Sequence, residues 1–122
     1  MRILLADDQD GVRSAIRLLL EQEPGLEVVA EAVDSTDTLQ AASQEAPDLL
    51  LLDWELPGLH PSRLLRLLRS ECPDLCVVAM SSRPEARQAA QMAEVEAFVE
   101  KSSPAEVLLA ALYQARGDSG VQ

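Results

Sequence analysis

Leu49-Leu50-Leu51-Leu52-Asp53-Trp54-Glu55-Leu56-Pro57-Gly58 is the stretch that decides the fold. Four consecutive leucines leave no polar face at either a strand or a helix period. The run therefore reads as a short strand buried on both sides, as in parallel sheets. Pro57-Gly58 ends it in a loop. Asp53 stands between, an ionisable residue delivered to the end of a buried strand. Three other runs repeat the arrangement. Ile3-Leu4-Leu5-Ala6 delivers Asp7-Asp8, Val77-Val78-Ala79-Met80 delivers Ser81, and Ala97-Phe98-Val99 leads to Lys101. The carboxyl ends of parallel strands share one edge, so these residues can meet in a single crevice. Lys101 is the only lysine in the chain; every other basic residue except His60 is an arginine.

Helical patterns fill the intervals. Val12, Ile16, Leu19 and Leu20 lie on one face of a helix predicted over about residues 10–22, which Pro24-Gly25 stops. Leu26 to Ala30 reads as a second strand. Ser35 is placed to cap a weaker helix with Leu39, Ala42 and Ala46 facing inward, ending before Pro47-Asp48. Pro61 suits the first turn of a helix running to about Arg69. A fourth strand is predicted from about Leu75 to Met80, with a helix start at Ser82-Arg83-Pro84-Glu85. A short fifth strand falls around Val95 to Val99. Ser103-Pro104-Ala105-Glu106 has the spacing of a capping box, with Pro at N1 and Glu at N3. Its helix places Leu108, Leu112 and Ala115 on one face. The sum is five βα units, an α/β doubly wound parallel sheet covered on both faces. One domain over residues 1–116 is expected, with 117–122 as an exit or the start of a linker.

The chain has 122 residues, 48% of them hydrophobic and 25% charged, the balance of a globular domain with a real core. A net charge of −11 argues against a grip on nucleic acid, whose phosphates require a basic footprint. It suits a partner with basic residues, a cation site, or solubility alone. No apolar run approaches membrane-spanning length and nothing resembles a secretory signal, so a cytoplasmic location is expected. Cys72 and Cys76 read as free thiols; one histidine and a C-x3-C spacing make a poor zinc site.

Each strand-end residue also has a plainer use. The Asp7-Asp8 pair can cap a helix, Asp53 can form a turn, Ser81-Ser82 can cap the next helix, and Phe98 can be core. In order and in combination, the acidic pair, Asp53, Ser81, Phe98 and Lys101 resemble a response-regulator receiver domain of two-component signalling. Ile3-Leu4-Leu5-Ala6-Asp7-Asp8 and Leu51-Leu52-Asp53-Trp54-Glu55-Leu56-Pro57-Gly58 carry the match. With Glu27-Val28-Val29-Ala30-Glu31-Ala32 between them, the wording is most similar to the NarL/LuxR type.

The resemblance implies a flavodoxin-like fold with strand order 2-1-3-4-5. It implies Asp53 as phosphoacceptor for a histidine kinase or phosphotransfer protein, and Mg2+ held by Asp7, Asp8, Asp53 and the backbone carbonyl of Glu55. Lys101 would pair with a phosphoryl oxygen, and Ser81 and Phe98 would form the switch. A homodimer through the face of the fourth helix, fifth strand and fifth helix fits the same family. No external substrate is turned over; the only chemistry implied is assisted phosphorylation and dephosphorylation of Asp53. The chain would be a stand-alone receiver or the N-terminal part of a transcription regulator.

Several positions depart from the family pattern. Pro61 stands near the place of a second loop glycine, Glu94-Val95 replaces the usual Gly-Ala, and the Ser81–Lys101 interval is short. Ser102 follows Lys101 where relatives often carry proline, so a cis peptide there would meet the larger cost of a non-proline bond. Glu55 and Arg83 occupy positions that relatives use to tune phosphoryl lifetime, and are expected to pair across the mouth of the site. Arg63, Arg66 and Arg69 read as a solvated helix face, and Trp54 as a neighbour of the site. Two rival readings remain: a receiver-like interaction module that works without phosphorylation, and an Asp-nucleophile hydrolase using the bare Asp8-Gln9-Asp10 spacing.

Overall fold

Alternation inside the apolar runs decides which helices each strand residue meets. In the computed structural model, which describes residues 1–117, the strands are β1 (Arg2–Ala6), β2 (Glu27–Ala32), β3 (Leu49–Asp53), β4 (Cys76–Ser81) and β5 (Ala97–Glu100). They form one parallel sheet in the order β2-β1-β3-β4-β5, as expected. The helices are α1 (Asp10–Glu21), α2 (Ser35–Glu45), α3 (Pro61–Glu71), α4 (Ala86–Met92) and α5 (Ala105–Ala115).

Ile3, Leu5, Leu49, Leu51, Val78, Met80 and Val99 pack on one face against Leu20 of α1 and Leu108, Ala111 and Leu112 of α5. Leu4, Ala6, Leu50, Leu52, Val77 and Ala79 pack on the other against α2, α3 and α4. Both sides of β3 are therefore buried, which is why its four leucines show no polar alternation. A fully buried leucine contributes roughly 1.5–3 kcal/mol, so the central strands anchor the fold. The strand ends inherit their positions from this core.

The helix boundaries correct four expectations. Asp34, not Ser35, caps α2 by accepting a 2.8 Å hydrogen bond from the Asp37 N–H. Ser35 is buried, and its Oγ instead accepts a 2.9 Å bond from the Leu59 N–H. Ala46 is not inward; it terminates α2 in the left-handed region at φ 46°, consistent with the bias against helix before proline. Pro104 takes the N-cap position of α5 with extended backbone and no side-chain cap, so the capping box at Ser103 does not form. Pro84-Glu85 form a turn, and α4 begins only at Ala86.

Pro61 does open α3, behind His60, whose Nδ1 accepts from the Ser62 N–H at 3.2 Å. Arg63 and Arg66 are exposed, but Arg69 is not a bystander. Its guanidinium donates to the carbonyls of Ala93 and Glu94, both at 2.7 Å. Glu94 has φ +61°, the left-handed conformation that favours glycine. The departure from Gly at that position is thus held by an arginine on a neighbouring helix. No cis peptide bond occurs among the described residues. No helix among them is long and apolar enough to cross a membrane. Of the expected C-terminal exit, only Gly117 falls within the described residues; 118–122 lie outside them.

Candidate functional site

Continuing the strand alternation past the last core residues brings three charged groups to one place. Asp7 follows Leu5, Asp53 follows Leu51, and Lys101 follows Val99, all on the α1/α5 parity of the sheet. Ser81 follows Ala79 and carries the opposite parity. Backbone ladders hold these ends after the strands finish. The Asp7 N–H donates to Ala32 at 3.0 Å, Trp54 N–H to Met80 at 2.7 Å, and Lys101 N–H to Ser81 at 2.9 Å.

Asp7 and Asp53 are buried, at 0% and 1% exposure, while Asp8 faces solvent. Carboxylate oxygens of the three lie within 4.8 Å of one another. The Lys101 ammonium sits 2.8 Å from Asp7 Oδ2, 3.4 Å from Asp53 Oδ2 and 3.2 Å from Gln9 Oε1. Backbone N–H groups take the other oxygens: Gln9 donates to Asp7 Oδ1 at 2.8 Å and Glu55 to Asp53 Oδ1 at 3.0 Å. Asp7 Oδ2 accepts no hydrogen bond of good geometry despite the nearby ammonium.

Three carboxylates against one ammonium leave the cluster two negative charges in excess. Burial pushes the Asp53 carboxyl above its ordinary range, opposed by the Glu55 N–H and by Lys101 and reinforced by Asp7. Burial pulls Lys101 downward, but contact with Asp7 and attraction to Asp53 carry it above its ordinary value. Both directions describe a site short of positive charge. Hard oxygen donors, an Asp7 oxygen without a satisfactory donor, and an exposed carboxylate at the entrance fit a Mg2+ ion. With the Oδ1 atoms of Asp7 and Asp53 held by N–H groups, their Oδ2 atoms converge on the Lys101 ammonium.

Ser81 is buried, and its hydroxyl donates to the Glu55 carboxylate at 2.8 Å and 3.0 Å while accepting from the Arg83 N–H at 2.9 Å. The expected Glu55–Arg83 pair is therefore absent. The Arg83 guanidinium turns outward to Glu85 at 3.4 Å, and Glu55 is occupied by the nearer hydroxyl. Phe98 is half-buried against the α2–α4 face, and the Arg87 guanidinium lies 4.8 Å from its ring centroid. Trp54 is buried immediately after Asp53. The loop beyond it is shaped by Gly58, at φ +112°, where a Cβ would stand 2.0 Å from Ser35 Oγ.

The structure thus gathers Asp7, Asp8, Asp53 and Lys101 into one cluster and sets Ser81 beside Glu55. Sequence reading missed Gln9 as a partner of Lys101 and gave Ser35 a helix cap in place of its contact with the Leu59 loop. Gln9 follows the acidic pair directly, which was the available signal, whereas the Ser35 contact joins segments 24 residues apart.

The family model described as "Response regulator receiver domain" matches residues 3–113. The chain is 34% identical over 119 residues to protein-glutamate methylesterase/protein-glutamine glutaminase 5 of Myxococcus xanthus (strain DK1622), covering 97% of this chain and 34% of that protein. It is 36% identical over 81 residues to response regulator GacA of Pseudomonas viridiflava, covering 66% of this chain and 38% of that protein. The chain therefore spans little more than a third of the length of these curated relatives. A two-component response regulator of the LuxR family from Aurantimonas sp. SI85-9A1 superposes with TM-score 0.88 at 29% identity, covering 95% of this chain and 84% of that one. The receiver domain of the response regulator NarL from Mycobacterium tuberculosis superposes with TM-score 0.83 at 27% identity, covering 95% and 96%. Strand order, acidic cluster and family match coincide, and the chain belongs to the response regulator receiver domain family.

Proposed function

We propose that this domain accepts a phosphoryl group on Asp53 from the phosphohistidine of a histidine kinase or phosphotransfer protein, and that the modification switches an output face. The observation that supports this most is the Asp53 carboxylate itself. It is buried, deprived of water, 3.4 Å from the sole lysine and within reach of two further carboxylates. A carboxylate placed only for stability would not be held against two like charges.

Asp7, Asp8 and Asp53, with the backbone carbonyl of Glu55, would hold Mg2+; when bound, the ion offsets charge on the phosphoryl oxygens and orients them. A free Asp53 oxygen attacks phosphorus, a P–O bond forms, and the P–N bond to the donor imidazole breaks with its electron pair returning to nitrogen. Lys101, a compact ammonium already between Asp7 and Asp53, moves its charge onto a phosphoryl oxygen. Ser81 gives up Glu55 and donates its hydroxyl to another. Displacement of Ser81 then lets Phe98 leave Arg87 and alter the surface of α4, β5 and α5. Met92 and Val107, 78% and 45% exposed, supply apolar area on that surface for a homodimer.

The LuxR-family likeness favours a transcription-regulator setting, while the methylesterase relative favours an output of that kind; the switch is the same in both. The acidic charge keeps this domain itself off DNA, and a cytoplasmic location suits a kinase partner. Phosphate-affinity gel mobility after acetyl phosphate with Mg2+ tests the reading. Wild-type protein should shift and Asp53→Asn should not. A shift that survives Asp53→Asn would overturn it, and no shift in wild type would favour a module that works without phosphorylation.

A further inference from the structure

We infer that Arg13 is a positioning residue that aims Asp7 and Asp8 at the cation site, by clamping the peptide between them to strand β2. The inference rests on the proposed Mg2+ site and adds a residue that none of the strand-end reasoning supplies.

Arg13 lies one turn into α1, with its side chain only 15% exposed. Its guanidinium makes three separate bonds. Nη1 donates to the Asp7 carbonyl at 2.8 Å, Nε to Glu31 Oε1 at 2.8 Å, and Nη2 to Asp10 Oδ1 at 2.7 Å. Glu31 belongs to β2 and is held from its solvent side by Arg17, which also pairs with Glu21 at 3.0 Å. The Asp7 N–H is already bonded to Ala32, the next residue of β2. Asp7 is thus pinned at both backbone groups to consecutive residues of one strand, directly at the N–H and through Arg13 at the carbonyl.

That carbonyl belongs to the Asp7–Asp8 peptide unit. The unit is planar, so fixing its carbonyl direction fixes the plane and places the Asp8 Cα, and with the Asp7 N–H also held the backbone of Asp7 is set on both sides of its side chain. Asp8 is exposed and no strand ladder holds it, so its aim at the site depends on this plane. The arrangement needs a planar fork with several donors, which arginine has and lysine lacks. It also leaves the cage acidic. The Arg13 charge is met by Asp10 and Glu31, whose hydrogen bonds hold its pKa above the ordinary value, so it is offset where it stands and the negative excess at Asp7, Asp8 and Asp53 is preserved for a cation.

The test is a Mg2+ titration followed by Trp54 fluorescence, paired with acetyl phosphate labelling across Mg2+ concentrations. Arg13→Ala and Arg13→Lys should each weaken Mg2+ about ten-fold or more, the scale seen when outer partners of metal ligands are removed. Labelling at saturating Mg2+ should return to within about two-fold of wild type, because Asp53 and Lys101 are untouched. Glu31→Gln, which keeps an oxygen acceptor, should lose less than Glu31→Ala. Arg66→Ala, an exposed charge on α3, should bind as wild type. Arg13→Lys binding Mg2+ normally would overturn the clamp alone, and so would variants that lose labelling equally at every Mg2+ concentration. Should Arg13→Ala not fold, Arg13→Lys carries the test. Wild-type protein with no Mg2+ response would overturn the cation site and the clamp together.

Discussion

Replacing Asp53 by asparagine should stabilise the metal-free protein and take away most of its response to Mg2+. Asp53 faces one ammonium at 3.4 Å and two carboxylates within 4.8 Å. At an effective dielectric of about 20, the attraction is worth about 5 kcal/mol and each repulsion about 3.5 kcal/mol. The two repulsions exceed the attraction by about 2 kcal/mol, and Asp8, being exposed, contributes less than its full share. The cost of burying the charge acts in the same direction. Asparagine keeps an oxygen for the Glu55 N–H, so little is lost in exchange. Urea unfolding in EDTA should therefore show Asp53→Asn more stable by about 1–3 kcal/mol.

Mg2+ at a hundred-fold excess over its dissociation constant should add about 2.7 kcal/mol to wild type and less than half of that to the variant. The pH dependence carries its own sign. Burial raises the folded Asp53 pKa above its ordinary 3.8, so the folded chain keeps that proton where the unfolded chain has lost it. Without metal, wild-type stability relative to Asp53→Asn should fall as pH rises through the window above 3.8. A variant less stable than wild type in EDTA, or a difference indifferent to pH, would refute this electrostatic account.

Gly58→Ala should cost about 2–4 kcal/mol, combining left-handed backbone strain with overpacking against the buried Ser35 side chain; chemical denaturation measures it, and a change below 1 kcal/mol would contradict the close approach. Glu94→Gly should stabilise by about 0.5–1 kcal/mol by relieving its left-handed backbone, with thermal melting as the readout. Glu55→Ala removes the acceptor that occupies the Ser81 hydroxyl, a net contribution of about 1 kcal/mol, and should tighten beryllofluoride binding about five-fold. Unchanged affinity there would mean that Glu55 does not hold Ser81 back.

The strands were legible because burial on both faces leaves a run with no polar letter, and four of the five runs end in the residues that form the site. Parity then tells which of those residues share a side: Asp7, Asp53 and Lys101 follow inward residues of the α1/α5 face. The errors have a common source. Asp34 and Ser35 are both good caps, and the choice between them was made far along the chain, where the Leu59 N–H takes the Ser35 hydroxyl and Gly58 leaves room for it. Pro104 fits N1 as well as the N-cap position, and no local rule separates the two. The Glu55–Arg83 pair, expected from the positions the two residues share with relatives, does not form because the Ser81 hydroxyl occupies Glu55 and Arg83 turns to Glu85. Arg13 was unreadable from spacing, since its target is a carbonyl oxygen that every residue possesses.

The account stands most directly on a titration of the protein with beryllofluoride in the presence of Mg2+, followed by Trp54 fluorescence. Saturable binding that disappears with EDTA and with Asp53→Asn, and weakens strongly with Lys101→Ala, is the predicted result. A response that is absent in wild type, or that persists without Asp53, would contradict it.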